Sequence, residues 1–125
     1  MSADFDIQDD LRSELAQFSS SETRYVHVTN QLQYTAGVKF LTEKTGAHWL
    51  IDKIALLQPV ALRDSGLALF QLWEFLVKGD RSAALTCSRD SDDAVFRERI
   101  AFTDCPLGYV RLYVEGGVLM LPSEH

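Results

Sequence analysis

Apolar residues recur at helical spacing in the first half of the chain. Within segment 5–18 they repeat every three or four positions, which places them on one face of a helix. They are Ile7, Leu11, Leu15 and Phe18. Segment 36–45 predicts a second helix that ends at Gly46, because glycine adopts the left-handed conformation of a helix C-cap without strain. Segment 47–58 predicts a third helix, and Pro59 is expected to stop it.

The spacing changes from about Leu67 onward, where apolar and polar residues begin to alternate as they do in β-strands. Segment 69–77 fits either a helix with a narrow polar stripe or a strand, and the turn residues that follow it favour a strand of a hairpin. The other strands are predicted at 24–28, 83–88, 95–102, 109–115 and 118–121. The last five strands have short connections, which predict an antiparallel meander. The predicted fold class is therefore α+β, with N-terminal helices packed on one face of a roughly five-stranded antiparallel meander sheet.

The composition is that of an ordinary globular protein. The chain has 125 residues, of which 46% are hydrophobic and 24% are charged, and this length predicts a single domain over residues 1–125. No apolar run approaches the roughly 20 residues of a membrane span, and the acidic N-terminus lacks the basic and then apolar order of a secretion signal. We therefore expect a cytoplasmic protein without a membrane partner, in which the cysteines stay reduced.

The net charge of −6 is concentrated in the N-terminal segment. Residues 1–22, predicted as an acidic helix and loop, hold six acids and one base, whereas the rest of the chain is nearly neutral. The sequence has no basic stripe of the kind that displaces counterions from nucleic acid, so we expect no nucleic-acid partner. One hypothesis takes the acidic segment as a nucleic-acid mimic that inhibits a DNA-binding enzyme. The simpler interpretation is a solvated first helix.

Four stretches of the chain form a recognisable set. They are YTAGVKFL at 34–41, AHWLIDKIA at 47–55, FQLWEFLV at 70–77 and FTDCPLGYVRLYVEGGVLMLPSEH at 102–125. Together they resemble a family of small bacterial proteins catalogued as a domain of unknown function, the one numbered 6876. The closing Leu-Pro-Ser-Glu at 121–124 is the most specific part of the resemblance. The resemblance implies a compact, cytoplasmic, bacterial domain encoded in a mobile or accessory gene region, and it implies no activity.

Arginine and tyrosine side chains form the best candidate for a binding surface. Arg97 and Arg99 share one face of their predicted strand, and we expect the next strand to lie beside it. Tyr109, Arg111 and Tyr113 share one face of that next strand. Exposed guanidinium groups can hold phosphate or a carboxylate-rich partner, and tyrosine and arginine are enriched in protein interfaces. We therefore predict a non-catalytic protein-interaction module whose outer sheet face binds a protein partner or forms a homodimer. Alternatively, the Tyr-Arg-Tyr strand is a sheet edge that pairs with a second copy.

The motifs of several large enzyme classes are absent from the sequence, which has no glycine-rich phosphate loop, no GxSxG turn and no HExxH helix. A weaker candidate pairs His48 with Asp52, one helical turn apart, where the carboxylate can orient the imidazole as a general base. The nucleophile would be the thiol of Cys105 or Cys87, which makes the alternative function a small thiol- or His-dependent hydrolase or transferase. The acid next to Cys105 disfavours its thiolate, and no spacing is typical of metal ligands. We therefore favour a protein without catalytic activity, cofactor or metal.

Overall fold

Helices and strands occupy most of the part of the chain that a computed structural model describes, which is residues 11–18, 23–90 and 92–125. Residues 11–16 are helical and are called α1. The other helices are α2 (Ala36–Thr45), α3 (His48–Ala61) and α4 (Ser65–Leu69). The strands are β1 (Arg24–Val26), β2 (Gln33–Thr35), β3 (Gln71–Val77), β4 (Ala83–Ser88), β5 (Ala94–Ile100), β6 (Tyr109–Glu115) and β7 (Val118–Met120). A 3-10 helix at Pro122–Glu124 follows β7.

The seven described strands form one mixed sheet in the order β1-β2-β7-β6-β3-β4-β5. β2 and β7 are parallel, and every other neighbouring pair is antiparallel. The α+β class is thus confirmed. The five-stranded antiparallel meander is wrong, since β6 pairs with β3 instead of β5, and β1 and β2 extend the sheet. β3 lies between two other strands and carries buried apolar residues on both faces, with Leu72 on one face and Trp73 and Phe75 on the other.

Local signals account for both ends of α2 but not for the end of α3. The Thr35 hydroxyl caps the first turn of α2, and Gly46 ends this helix with a φ of 70°, as predicted. In contrast, α3 continues through Pro59, so the prediction that this proline stops the helix is wrong. Proline removes one backbone donor from the last turn. The Leu62 N–H nevertheless still donates to the Gln58 carbonyl, and the two residues after the proline stay helical.

Two short elements, β2 and α4, do not follow from the sequence patterns. Neither β2 nor α4 is among the predicted elements, and the cap of α4 combines the local Asp64 carboxylate with a side chain from a distant segment. The Asp64 carboxylate accepts hydrogen bonds from the N–H groups of Gly66 and Leu67, and the Arg89 guanidinium donates to the same carboxylate. The hydrogen bonds from Arg89 and from Leu67 lower the pKa of Asp64 to about 2. Arg89 follows β4, so this cap forms only when the sheet does.

α3 covers one side of the sheet, which we call the inner face. The side-chain amides of Gln58 on α3 and Gln71 on β3 exchange two hydrogen bonds of 2.9 Å. The ammonium group of Lys53 on α3 lies 2.8 Å from Glu98 Oε1 on β5. Successive residues of a strand point to opposite sides of a sheet. The residues directly before and after Gln71 and Glu98 in the sequence of each strand therefore point away from α3. We call that opposite side the outer face.

The C-terminal residues join the start of α2 through one buried carboxylate. Glu124 is 5% exposed and accepts a hydrogen bond of 2.6 Å from the Thr35 hydroxyl. It also accepts from the backbone N–H groups of Gly37 at 3.3 Å and Leu121 at 3.0 Å. A negative group is favourable there, because the first backbone N–H groups of a helix carry partial positive charge. The glutamate of the Leu-Pro-Ser-Glu sequence is therefore a structural residue that links the 3-10 helix to the start of α2.

Candidate functional site

The outer face carries all five side chains of the predicted binding surface. Trp73 pairs with Leu112 of β6 on one side and with Cys87 of β4 on the other, and all three are buried on the inner face. Cys87 pairs in turn with Phe96 of β5. Residues one position away in each strand point outward. The predicted residues at such positions are Arg97 and Arg99 on β5, and Tyr109, Arg111 and Tyr113 on β6.

The arginines of β5 and β6 are not on neighbouring strands. β4 and β3 lie between β5 and β6, and a strand spacing of about 4.8 Å separates β5 from β6 by roughly 14 Å. The prediction that adjacent strands carry Arg97, Arg99 and Arg111 is therefore wrong. β6 pairs with β3 along most of its length and with β7 over its last three residues. β6 is thus an interior strand of the sheet, which contradicts the sheet-edge alternative for the strand as a whole, although residues 109–111 have a strand neighbour only on the β3 side.

Glu74 of β3 contacts both Tyr109 and Arg111 of β6, and no pattern in the sequence indicates this role. The Tyr109 hydroxyl donates a hydrogen bond of 2.5 Å to Glu74 Oε2, and Arg111 Nε donates to the Tyr109 hydroxyl at 3.1 Å. Arg111 Nη2 lies 3.8 Å from the same Glu74 oxygen. Partial burial and the bond to Glu74 raise the pKa of Tyr109. Only the register that pairs residue 74 with residue 111 brings these groups together.

Arg97 and Arg99 differ from Arg111 in having no carboxylate within ion-pair distance among the described residues, although the charge of Arg99 acts on the Asp80 carboxyl at longer range. Both side chains are exposed, and Arg97 Nε donates only a long bond of 3.3 Å to the Thr86 hydroxyl. Among the described residues, no carboxylate oxygen lies within 4.0 Å of either guanidinium group. These two arginines can therefore bind an external acid without first breaking an ion pair.

Tyr113, at the other end of the β6 row, belongs to an aromatic cluster. Its ring centre lies 5.2 Å from that of Phe70 and 5.1 Å from that of His125. His125 Nε2 also lies 2.9 Å from an oxygen of Glu115. These contacts hold the ring in place, so Tyr113 offers a fixed aromatic surface at the margin of the outer face.

Asp52 contacts two histidines, and the closer one is not the one that the sequence predicts. Asp52 Oδ1 lies 3.9 Å from His48 Nε2 but 2.6 Å from Nε2 of the buried His27. The hydroxyl and the backbone N–H of Thr29 lie 2.8 Å and 3.1 Å from His27 Nδ1. Both nitrogens of His27 are thereby engaged, which leaves neither free to act as a general base. The pair ties the turn after β1 to α3.

Both thiols are removed from solvent. Cys87 is 0% exposed and Cys105 is 3% exposed. Burial raises the pKa of the Cys87 thiol to about 12 and also raises the pKa of Cys105. A thiolate nucleophile is disfavoured at neutral pH, because the uncharged thiol is the stable form in an apolar environment. The hydrolase or transferase that would use His48, Asp52 and Cys105 stays a prediction, and the burial of both thiols counts against it.

Thiol labelling tests whether Cys87 and Cys105 are protected from solvent. We expect Ellman's reagent at pH 8 to modify Cys87 and Cys105 in the native protein about 100-fold more slowly than in guanidinium chloride, since only the exposed thiolate reacts. Absorbance of the released thiolate measures both rates. The Cys87→Ala and Cys105→Ala variants assign the slow phases to one thiol or the other. A thiol that reacts at the unfolded rate in the native protein would contradict the burial described above and would favour thiol chemistry.

Three further findings concern metal binding, membrane-spanning helices and the acidic N-terminal segment. Among the described residues, no three histidine, cysteine or acidic side chains are grouped closely enough to hold a metal ion. None of the described helices combines the length and the apolar character needed to cross a membrane. Most of the acidic N-terminal segment, residues 1–10 and 19–22, lies outside the described part of the chain, so the nucleic-acid mimic stays a prediction.

Comparison with known proteins gives a family and nothing more specific. A family model described as a family of unknown function (DUF6876) matches residues 9–125. The match includes every described strand and helix. No curated protein and no solved structure matches the chain. The resemblance seen in the sequence is thus confirmed.

Proposed function

The chain belongs to the family of unknown function DUF6876, and we propose that it is a non-catalytic binding module whose outer face captures a partner protein through an acidic surface of that partner. The observation that carries the proposal is the exposure of Arg97 and Arg99 on β5, each without a carboxylate partner among the described residues. Arginine forms paired hydrogen bonds with carboxylates, which favours an aspartate- or glutamate-rich contact surface.

The charge of the outer face is opposite to that of the chain as a whole. The protein carries a net charge of −6, yet two adjacent rows of side chains across β6, β3, β4 and β5 hold three arginines and a single carboxylate, that of Glu74. A basic patch attracts acidic surfaces and repels basic ones, which accelerates association with an acidic partner and selects against basic partners. Glu74 partly neutralises Arg111, so most of the uncompensated positive charge lies on β5.

Apolar and aromatic groups between the arginines support a protein partner over a small ion. Leu76 is 50% exposed on the outer face and pairs with the half-buried Tyr109 across the strands. Interfaces between proteins combine tyrosine and arginine with exposed apolar side chains of this kind. A free phosphate or carboxylate would use the guanidinium groups and leave Leu76 and the tyrosine ring in water.

Charge reversal on β5 tests the proposal. We expect the Arg97→Glu/Arg99→Glu variant to lose capture of its partner from lysate, with at least about a tenfold weaker affinity once the partner is purified, because attraction becomes repulsion. The control variant Lys44→Glu/Arg63→Glu has the same net charge but alters α2 and the residue after Leu62, away from the outer face. We expect it to bind as the unaltered protein does. Quantitative mass spectrometry of the captured proteins at low and high salt provides the measurement.

The supporting result is a protein that the control variant retains, that the β5 variant loses, and that leaves the column as salt rises. Equal capture by both variants, or capture of nothing above background, would remove the outer face as the binding surface. Sedimentation of the purified chain separates self-association from the proposal, since a dimer that the β5 variant dissociates would make the partner a second copy. Melting curves of both variants should agree with that of the unaltered protein, because surface substitutions change stability by about 0.5 kcal/mol or less.

A further inference from the structure

An apolar cavity of about 300 Å³ lies between α1, the first half of β6 and the C-terminal 3-10 helix. Its walls include the buried side chains of Leu41, Val110 and Leu121. Arg12 and Arg111 also line it, and both are exposed, so their charged ends border the open side of the cavity. The cavity is separate from β5, and Tyr109 and Arg111 are the residues of the predicted binding surface that contribute to it.

The cavity exists because β7 is short. β7 pairs with β6 only at residues 113–115, so within the described chain Tyr109 and the two residues that follow it have β3 on one side and no strand on the other. α1 and the 3-10 helix border this gap without closing it. Arg12 Nη2 donates to the Tyr109 carbonyl at 3.3 Å, and the Ser123 hydroxyl donates to the Leu15 carbonyl at 3.2 Å. These two hydrogen bonds join α1 to β6 and to the 3-10 helix at the border of the cavity.

We propose that this cavity binds a small carboxylate with an apolar tail, of the chemical class of a medium-chain fatty acid. Leucine and valine side chains would bury the tail, and burial of apolar surface is the main source of affinity in such pockets. The guanidinium groups at the open side would pair with the carboxylate. A volume of about 300 Å³ is at the small end of the range for ligand pockets, which restricts the tail to a short one.

Arg12 is the group that selects the anion. Arg111 already has the Glu74 carboxylate at 3.8 Å, so its charge is partly compensated. Arg12 donates to a neutral backbone carbonyl, and among the described residues no carboxylate oxygen lies within 4.0 Å of it. An uncompensated cation beside an apolar cavity favours an anionic head group over a neutral or cationic one. This inference is independent of the partner proposed for the outer face, because it does not involve Arg97 or Arg99.

Calorimetric titration with octanoate, below the concentration at which it forms micelles, tests the inference on the full chain. We expect saturable binding of one octanoate per chain, and about tenfold weaker binding of 1-octanol, which has the same tail without the charge. Arg12→Gln should weaken octanoate binding about tenfold and leave 1-octanol binding unchanged. Arg63→Gln, a matched change of an exposed arginine outside the cavity, should have no effect.

A second variant separates the cavity from the rest of the surface. Ala16 lines the cavity and is exposed, so Ala16→Trp should fill the space and abolish octanoate binding without unfolding the protein. Ala68→Trp, on the exposed side of α4, is the matched control and should bind octanoate normally. Binding that survives Ala16→Trp, equal binding of octanoate and 1-octanol, or no saturable binding at millimolar octanoate would each overturn the inference. The β5 variant should bind octanoate normally, so the two proposals can fail separately.

Discussion

Replacement of Glu124 by alanine is expected to lower the free energy of unfolding by about 3 kcal/mol, because it leaves three buried donors without an acceptor. These donors are the Thr35 hydroxyl and the backbone N–H groups of Gly37 and Leu121. A loss of this size corresponds to a fall of roughly 10 °C in melting temperature for a domain of this length.

Urea unfolding followed by circular dichroism measures this effect. The Glu124→Gln variant keeps one side-chain oxygen as an acceptor and should lose about 1 kcal/mol, which is the usual net contribution of a single hydrogen bond. Glu43→Ala, which removes an exposed glutamate of α2, should change stability by about 0.5 kcal/mol or less. If Glu124→Ala unfolds at the same urea concentration as the Glu43→Ala control, the carboxylate does not hold the C-terminus as described.

The Gly37→Ala variant is expected to be less stable than the unaltered protein by about 2 kcal/mol, although alanine favours a helix over glycine by about 1 kcal/mol. A Cβ atom at position 37 would lie 2.5 Å from Glu124 Oε1 and 2.7 Å from Leu121 Cδ1. Both atoms are at the ends of side chains, but Glu124 is buried and held by its hydrogen bonds, so moving it breaks them. The close packing therefore reverses the sign that helix propensity predicts.

Gly79→Ala is the matched control for this substitution, since a Cβ atom at position 79 would meet nothing within 4 Å. It should leave the midpoint of urea unfolding unchanged within about 0.5 kcal/mol. The double variant Gly37→Ala/Glu124→Ala gives a sharper test, because the contact with the glutamate disappears and only the contact with Leu121 Cδ1 remains. We expect the Gly37→Ala change to cost less in that background than in the unaltered protein, and equal costs in both backgrounds would show that positions 37 and 124 are not coupled.

The candidate binding surface was predicted from the sequence only in part. Alternation along each strand correctly places Arg97 with Arg99, and Tyr109 with Arg111, on one side of their own strand. It does not show which strands are neighbours, so the distance between these two sets follows only from the sheet order. Glu74 enters the same surface through the register of β3 and β6, a relation between segments more than thirty residues apart. No pattern within either segment encodes that pairing.

The His48–Asp52 hypothesis was limited in a similar way. Helical spacing correctly puts the two side chains on one face of α3, where they lie 3.9 Å apart. The closer partner of Asp52 is His27, which comes from the turn after β1 and is 25 residues away in the chain. A carboxylate bonds whichever donor the fold brings to it at the best distance, and spacing along one helix contains no information about donors from other elements.

The sequence by itself determined the elements that depend on neighbouring residues. α2, β4 and β6 lie at the predicted positions, because caps, turn residues and alternation act within a few residues of each other. The tertiary structure alone decided the place of β6 beside β3, the parallel pairing of β7 with β2, and the continuation of α3 through Pro59. These three features depend on which apolar surfaces the whole chain can bury together. The free energy of that burial comes from contacts between segments that are distant in the sequence. The positions of the exposed arginines and of the cavity beside α1 follow from the same strand order.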